Sequence, residues 1–309
     1  MSETISSLAF LDDRIVWIQG SLIPDQIVIE RFVETELPFQ LTRENITRPT
    51  SAIQLANQIS YLAKANNLDT QSVRLSIPGR MGLTKRIWID DTIPQSQWKE
   101  FARSQVAAEL ISDLDDYVVY LDDEKQSANG HGELLAVLFR KDLRDFFKKI
   151  AAESQIQVRS LMLNVFGVEE LFRQNYGNLL GTSLLINVMA DGIESTLINE
   201  TQFLQSVFYP YGSGDSLEDR FLKAFEMCNA DILKRNELSA AAGGDVTGIF
   251  IYGYHLQPQW LNNVQEIVKV PIQIFNFSEN TNLQINAGNT DFPVESSYQY
   301  LDAIGNFFI

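Results

Sequence analysis

The alternation of apolar and polar residues divides the chain into two halves of similar plan, with strand-like runs first and helix-like runs after them. Residues 7–17, SLAFLDDRIVW, hold two apolar runs joined by Asp12 and Asp13, and residues 26–33 add a third. Alternation with period two across a tight polar turn predicts a three-stranded antiparallel start. After Pro49, Ile53, Ala56, Ile59 and Leu62 recur at three and four residues, which predicts an amphipathic helix over 50–65. Strands are expected at 73–77, ended by Pro78-Gly79, and at 85–89. Pro94 opens a helix with Trp98, Phe101, Ala102, Val106 and Leu110 on one face. Strands at 117–121 and 134–139 flank an acidic loop. A helix over 141–153, a strand over 158–163 and a helix over 165–174 close the first half near Gly177.

The second half opens on LLINVMADGIESTLINETQFLQSVFYPYGSGD, residues 184–215. Two apolar runs meet at the turn Ala190-Asp191-Gly192, and a loop with Gly212 and Gly214 leads into a helix over 216–234. Leu217, Phe221, Phe225, Cys228 and Ile232 form that helix's apolar stripe. A small-residue linker at 240–245, a strand at 248–252, a helix at 258–268, a strand at 272–275 and a helix-like end at 298–308 complete the pattern. A tight hairpin followed by a glycine loop at a helix N-terminus is an arrangement that can cradle a nucleotide, because backbone N–H groups and the helix dipole favour an anion there.

Composition narrows the partners. With 309 residues, 45% of them hydrophobic, the chain can bury a sizeable core in about two domains. Forty acidic residues against 24 basic ones give 24 − 40 = −16, which excludes a broad nucleic-acid footprint or unaided adhesion to anionic lipid. One cysteine and two histidines leave no disulfide framework and little for a His/Cys metal site. The start MSETISSLAF lacks the features of a secretory signal, and no apolar run approaches about 18 residues, so a cytoplasmic protein that meets membranes only through partners is expected.

The candidate residues mostly read as architecture. Asp12 and Asp13 suit a solvent-facing hairpin turn better than a metal site, and Asp191 suits a turn. The 212–215 loop reads as a plain loop and helix cap, because Asp215 opposes an anion. His255 reads as a loop histidine, with purine stacking as the other option, and His131 is assigned no chemistry. Cys228 falls on an apolar stripe as a packing thiol. Asp113, Asp115, Asp116, Asp122, Asp123 and Glu124 form a solvated acidic face. Arg80, Lys85 and Arg86 make a small basic patch, serving solubility, with an acidic partner segment or lipid headgroups as the alternatives. Phe208, Tyr209 and Tyr211 read as packing, with a docking surface as the alternative.

Taken in order, these segments resemble the PilM family of type IV pilus assembly proteins, relatives of the division protein FtsA. The likeness rests on SIPGR, RIWID, the helix carrying Glu109 and DDYVVYL, then RSLMLNVFGVEELF, IFIYGYHLQPQWLNNVQEIVKVPIQIF and the closing YLDAIGNFF. The resemblance implies an α/β, actin-like (ribonuclease H-like) fold of two lobes, 1–177 and 178–309. A strand-helix-strand-strand subdomain is inserted at about 72–154, and the 298–309 helix is able to pack back on the first lobe.

The departures from the family matter as much. Its first phosphate loop carries aspartate, isoleucine, glycine and a serine-rich turn, where this chain has Asp12 and Asp13 without glycine or serine. Its second opens with aspartate-isoleucine-glycine, where Asn187, Val188 and Met189 stand. Its adenine-side glycines reduce to Gly253, followed by Tyr254 and His255. Asn187 lacks a carboxylate's charge, and Met189 removes the close backbone approach that glycine permits. No catalytic residue, metal or cofactor is therefore expected.

The implied function is a non-catalytic scaffold docking the cytoplasmic tail of a PilN-like membrane protein, with a PilO-like protein reached indirectly. The pilus motor and a second copy are further possible partners. The implied docking region is a cleft between subdomain and first lobe, near Val73, Leu75, Ile77, Arg80, Arg86, Tyr117 and Val119. Two alternatives stay open: an ATP- and Mg-binding protein with atypical motifs, and a GspL-like platform protein of type II secretion. The latter continues into a membrane span, which residues up to Ile309 do not contain.

Overall fold

A computed structural model describes residues 4–90, 92–122, 132–177, 181–199, 202–238, 245–277 and 283–309. The first three strands, β1 (Thr4–Phe10), β2 (Arg14–Ile23) and β3 (Gln26–Glu36), pair antiparallel in the order the alternation predicts. Ile15 and Trp17 face one side of β2 and Val16 and Ile18 the other, all four fully buried, so layers cover this sheet on both faces. Two helices follow, α1 (Arg43–Thr47) and α2 (Ser51–Ala65), which packs Leu55, Ala56 and Ile59 inward. The short α1, capped by the Thr42 hydroxyl accepting from the Asn45 N–H, carries no periodic signal and was not anticipated.

After β4 (Val73–Ile77) the chain leaves the lobe and builds a separate small sheet. It runs through β5 (Gly82–Ile89), α3 (Trp98–Glu109), β6 (Tyr117–Asp122) and β7 (Gly132–Arg140), with antiparallel order β5-β7-β6. Ile87, Ile89, Leu134, Ala136 and Leu138 of this sheet close on Trp98, Ala102 and Val106 of α3 as a core of their own. The chain then returns through α4 (Lys141–Ser154), β8 (Val158–Leu163) and α5 (Asn164–Tyr176).

The second lobe repeats the plan. β9 (Thr182–Val188), β10 (Gly192–Ile198) and β11 (Phe203–Pro210) form an antiparallel meander, α6 (Leu217–Leu238) crosses, and β12 (Val246–Tyr252), α7 (Leu261–Ile267) and β13 (Ile272–Ile274) complete the sheet. Its order is β11-β10-β9-β12-β13, with β9, β12 and β13 parallel; the first sheet contains β3-β2-β1-β4-β8, with β1, β4 and β8 parallel. The same five-strand topology therefore occurs twice, and it puts the β1–β2 turn of one lobe and the β9–β10 turn of the other in equivalent places.

Two late segments stitch the lobes together. The three-residue β14 (Gln284–Asn286) adds to the outer side of β3, so a strand late in the chain completes the first sheet. The end is a broken helix: one turn of α-helix, α8 (Leu301–Ile304), between 3-10 turns at Val294–Gln299 and Gly305–Phe308. It lies against the first lobe, where the Ser7 and Ser76 hydroxyls donate to the carbonyls of Ala303 (2.6 Å) and Asp302 (3.1 Å), and Arg74 donates to that of Asn306 (2.8 Å). Asp123, Glu124, His131 and most of the 240–245 linker lie outside the described residues.

Candidate functional site

The β1–β2 and β9–β10 turns meet at the seam between the lobes. Each is closed by one backbone bond, Leu11 N–H to the Arg14 carbonyl and Met189 N–H to the Gly192 carbonyl, at 2.9 and 3.0 Å. Asp12, at 5% exposure, is buried, not solvent-facing as its place in a polar turn suggested. One of its carboxylate oxygens accepts from the Ala190 N–H of the opposite turn (3.1 Å), and the other pairs with Arg80 (2.9 Å). The second guanidinium nitrogen of Arg80 pairs with Asp191 at 2.7 Å, and the Phe208 ring lies 5.1 Å beneath the guanidinium. The two equivalent turns of the duplicated topology thus touch each other and share one arginine.

The residues around them tighten the seam. Asn187, buried at the end of β9, donates its amide to Asp302 at 3.1 Å, and Met189 is buried beside it. Gly253 adopts a φ of +116°, and a Cβ there would stand 2.4 Å from Asn187 Oδ1, so glycine is needed for backbone approach to β9. Asp13 lies 3.2 Å from the His255 ring nitrogen and 3.3 Å from Arg14, whose guanidinium covers the Tyr254 ring at 3.6 Å. Among Leu11, Asp12, Pro78, Asn187, Met189, His255 and Asp302 the remaining cavity is about 10 Å³. That is about one water-sized sphere, whereas small-molecule pockets occupy about 300–1,000 Å³.

Burial sets the protonation of this seam. It pushes the Asp12 carboxyl up to about 7, with Arg80 pulling it down and Asp191 adding to the rise. Glu194, on β10, is pushed up to about 8 by burial and by the nearby Asp302 and Asp12, although it accepts the Gly79 N–H. Asp302 rises to about 6 through burial, against hydrogen bonds from Asn164 and Asn187. Burial also opposes ionisation of Asp13, but His255 and Arg14 together hold that carboxyl below its ordinary value. Neither Glu194 nor Asp302 was among the sequence candidates; Asp302 carries a signal as a lone acidic residue in the apolar run YLDAIG, whereas Glu194, followed by Ser195 and Thr196, carries none.

The glycine loop is tied down by its own polar contacts. Ser216 and Asp219 cap α6 reciprocally, each side chain accepting the other's N–H at 3.1 Å. The loop's carbonyls at Ser213 and Gly214 accept from Lys223 and Arg220, and a Cβ on Gly212 would meet nothing. Cys228 is a fully buried packing thiol. The basic patch is an internal set of ion pairs: Arg80 as above, Lys85 with Glu109, and Arg86 with the buried Glu133 at 2.6 Å. Arg86 also donates to the Phe203 carbonyl and to Gln202 (3.1 Å), tying the small sheet to the second lobe.

A second feature lies on the other flank of the small sheet. Between β6, the outer strand of that sheet, and β8, the outer strand of the six-stranded sheet, runs an open groove of about 560 Å³. Val118, Tyr120, Val137, Phe139, Met162 and Phe166 are among the residues that line it. Of the residues expected to meet a partner, Val73, Leu75 and Ile77 are almost fully buried in β4, between β1 and β8, and Arg80 and Arg86 are engaged at the seam. Tyr117 and Val119 turn toward α3, on the face of β6 opposite the groove. Val118 and Tyr120, rather than Tyr117 and Val119, face the groove, because neighbouring strand residues point to opposite faces.

No family model matches the chain, and no curated protein matches it. Among solved structures it is similar to a PilM–PilN type IV pilus biogenesis complex, at 12% identity and a TM-score of 0.76 over 98% of this chain and 97% of that one. It is similar to a Bacteroides thetaiotaomicron protein of actin-like ATPase fold and unknown function (11% identity, TM-score 0.52, 88% and 90% covered). It also resembles the cytoplasmic domain of EpsL, an inner-membrane component of the Vibrio cholerae type II secretion system (10% identity, TM-score 0.50, 98% and 95% covered). The fold is actin-like, as the sequence resemblance implied.

Proposed function

We propose that this protein is a non-catalytic, actin-like scaffold of a type IV pilus inner-membrane platform that docks the cytoplasmic tail of a PilN-like membrane protein. The observation that carries the reading is the groove between β6 and β8. It is apolar and open, and both of its strands are outermost in their sheets, so an extended peptide can add main-chain hydrogen bonds while alternate side chains enter the groove. The solved structure with a TM-score of 0.76 is a complex of PilM with PilN, which supports a PilN-like partner, with a PilO-like protein joining through it. The lower score with the EpsL domain favours pilus over secretion.

The sealed seam supports the non-catalytic half of the proposal. A nucleotide would have to separate two turns joined through Asp12, Ala190, Arg80 and Asp191 and would meet carboxylates where it needs donors. In this reading the protein works at the cytoplasmic face and the partner supplies the membrane anchor; no described helix is long and apolar enough to cross a membrane.

The test is fluorescence anisotropy with synthetic peptides of the cytoplasmic tails of single-span inner-membrane proteins from the same organism. One tail should bind, and Val118→Asp should weaken it at least tenfold, about 1.4 kcal/mol, with little change in melting temperature. Failure of every tail to bind, or equal binding by the variant, removes the proposal.

A further inference from the structure

The arrangement of Arg80 points to a role beyond neutralising its neighbours. Its two terminal nitrogens go to different lobes, one to Asp12 on the β1–β2 turn and the other to Asp191 on the β9–β10 turn. These are the equivalent turns of the duplicated topology, the pair that would grip a common ligand. A guanidinium suits this task because its planar fork offers donors in fixed, divergent directions, which a lysine ammonium cannot match. The position is held from behind: Pro78 and Gly79 turn the chain out of β4, the Phe208 ring lies under the guanidinium, and Met81 alone separates Arg80 from β5.

We propose that Arg80 is an internal substitute for the ligand of the cleft, a tethered cation that keeps the two lobes closed, so that closure is built into the fold. Two-lobed proteins of hinge type close when a ligand engages both sides of the cleft, and the ligand's differential affinity for the closed state sets the population. Here a side chain of the protein supplies both engagements, so each is intramolecular and needs no free ligand. The second oxygen of Asp12 adds the bond to the Ala190 N–H, so the guanidinium aligns the carboxylate that joins the turns directly. Two further links at the turns, Asp13 with His255 and Arg14 over Tyr254, lie beside this clasp and share none of its groups. The proposal does not depend on whether a tail occupies the groove.

Amide hydrogen exchange of the full chain, read by mass spectrometry, tests it. Arg80→Gln keeps a polar side chain but removes the charge and the reach needed to bridge both carboxylates. Peptides covering 11–14 and 189–192 should exchange at least tenfold faster in the variant, while those from the interiors of β4 and β9 keep their protection. Arg80→Lys, able to satisfy one carboxylate at a time, should fall between. Unchanged exchange at both turns would overturn the proposal, and so would a uniform acceleration along the chain, which marks general destabilisation. If Arg80→Gln does not fold, Asp191→Asn removes one arm at a half-exposed position and should speed exchange severalfold at 189–192; no change there would equally overturn it.

Discussion

The seam between the lobes and the groove beside the small sheet are both meeting places of separate sheets, yet they are finished in opposite ways. The seam is polar, crossed by ion pairs and reduced to about 10 Å³; the groove is apolar, bounded by two outer strands and open over about 560 Å³. Buried charges are costly unless paired, so the seam's carboxylates persist because Arg80, the Ala190 N–H and shifted protonation answer them. Exposed apolar surface is costly unless covered, and nothing in the described chain covers the groove. The first place is closed by its own charged groups, and the second is left open.

The sharpest way to break this contrast is to remove Arg80. Arg80→Ala leaves Asp12 buried without its cation and should cost about 3 kcal/mol at pH 8, in the range for breaking a buried pair. The loss should shrink at pH 5, where Asp12 can take a proton. Urea unfolding at the two pH values measures both, and equal losses would mean that the pair does not govern the seam.

Glu194→Gln should act in the other direction. The folded-state value of about 8 stands above the ordinary 4.5, so the folded protein binds more protons than the unfolded chain between those values, and stability falls as pH rises through that window. Asp12 and Asp302 add slopes of the same sign, whereas Asp13, whose value is lowered, adds the opposite slope below its ordinary range. Glu194→Gln should stabilise the protein at pH 8 by on the order of 2 kcal/mol and have little effect at pH 4.5. A variant no more stable than the parent at pH 8 would contradict a strained carboxylate there.

The smallest effects belong to the glycine loop. Ser216→Ala should cost about 1 kcal/mol through the lost cap of α6, while Gly212→Ala, with no neighbour to meet, should leave the melting temperature unchanged. A large loss for Gly212→Ala would reopen the loop as a working site.

Much of this fold was legible because periodicity carries it. The alternation in β1 and β2, the helical stripe of α6 and the strands β4 and β8 follow from local patterns of apolar residues. The seam was not legible, since Arg80 lies 68 residues from Asp12 and 111 from Asp191, and no local pattern joins residues so far apart. Asp12 looked solvent-facing because polar turns usually are, until a second turn covered it. The facing of β6 was not legible either: in YVVYL both alternating sets are apolar, so period two cannot say which set packs on α3 and which lines the groove. The three-residue β14 pairs with a strand more than 250 residues earlier and leaves no local trace.

One experiment sets the two places directly against each other: thermal melts of the same protein with a saturating cytoplasmic-tail peptide and, separately, with millimolar Mg-ATP. A ligand at about 100 times its dissociation constant adds about 2.7 kcal/mol to the folded state, enough to move the midpoint by several degrees. The peptide should raise the melting temperature and Mg-ATP should leave it unchanged. An upward shift with Mg-ATP and none with any tail would show that the cleft still opens for its ligand and that the groove is not where this protein works.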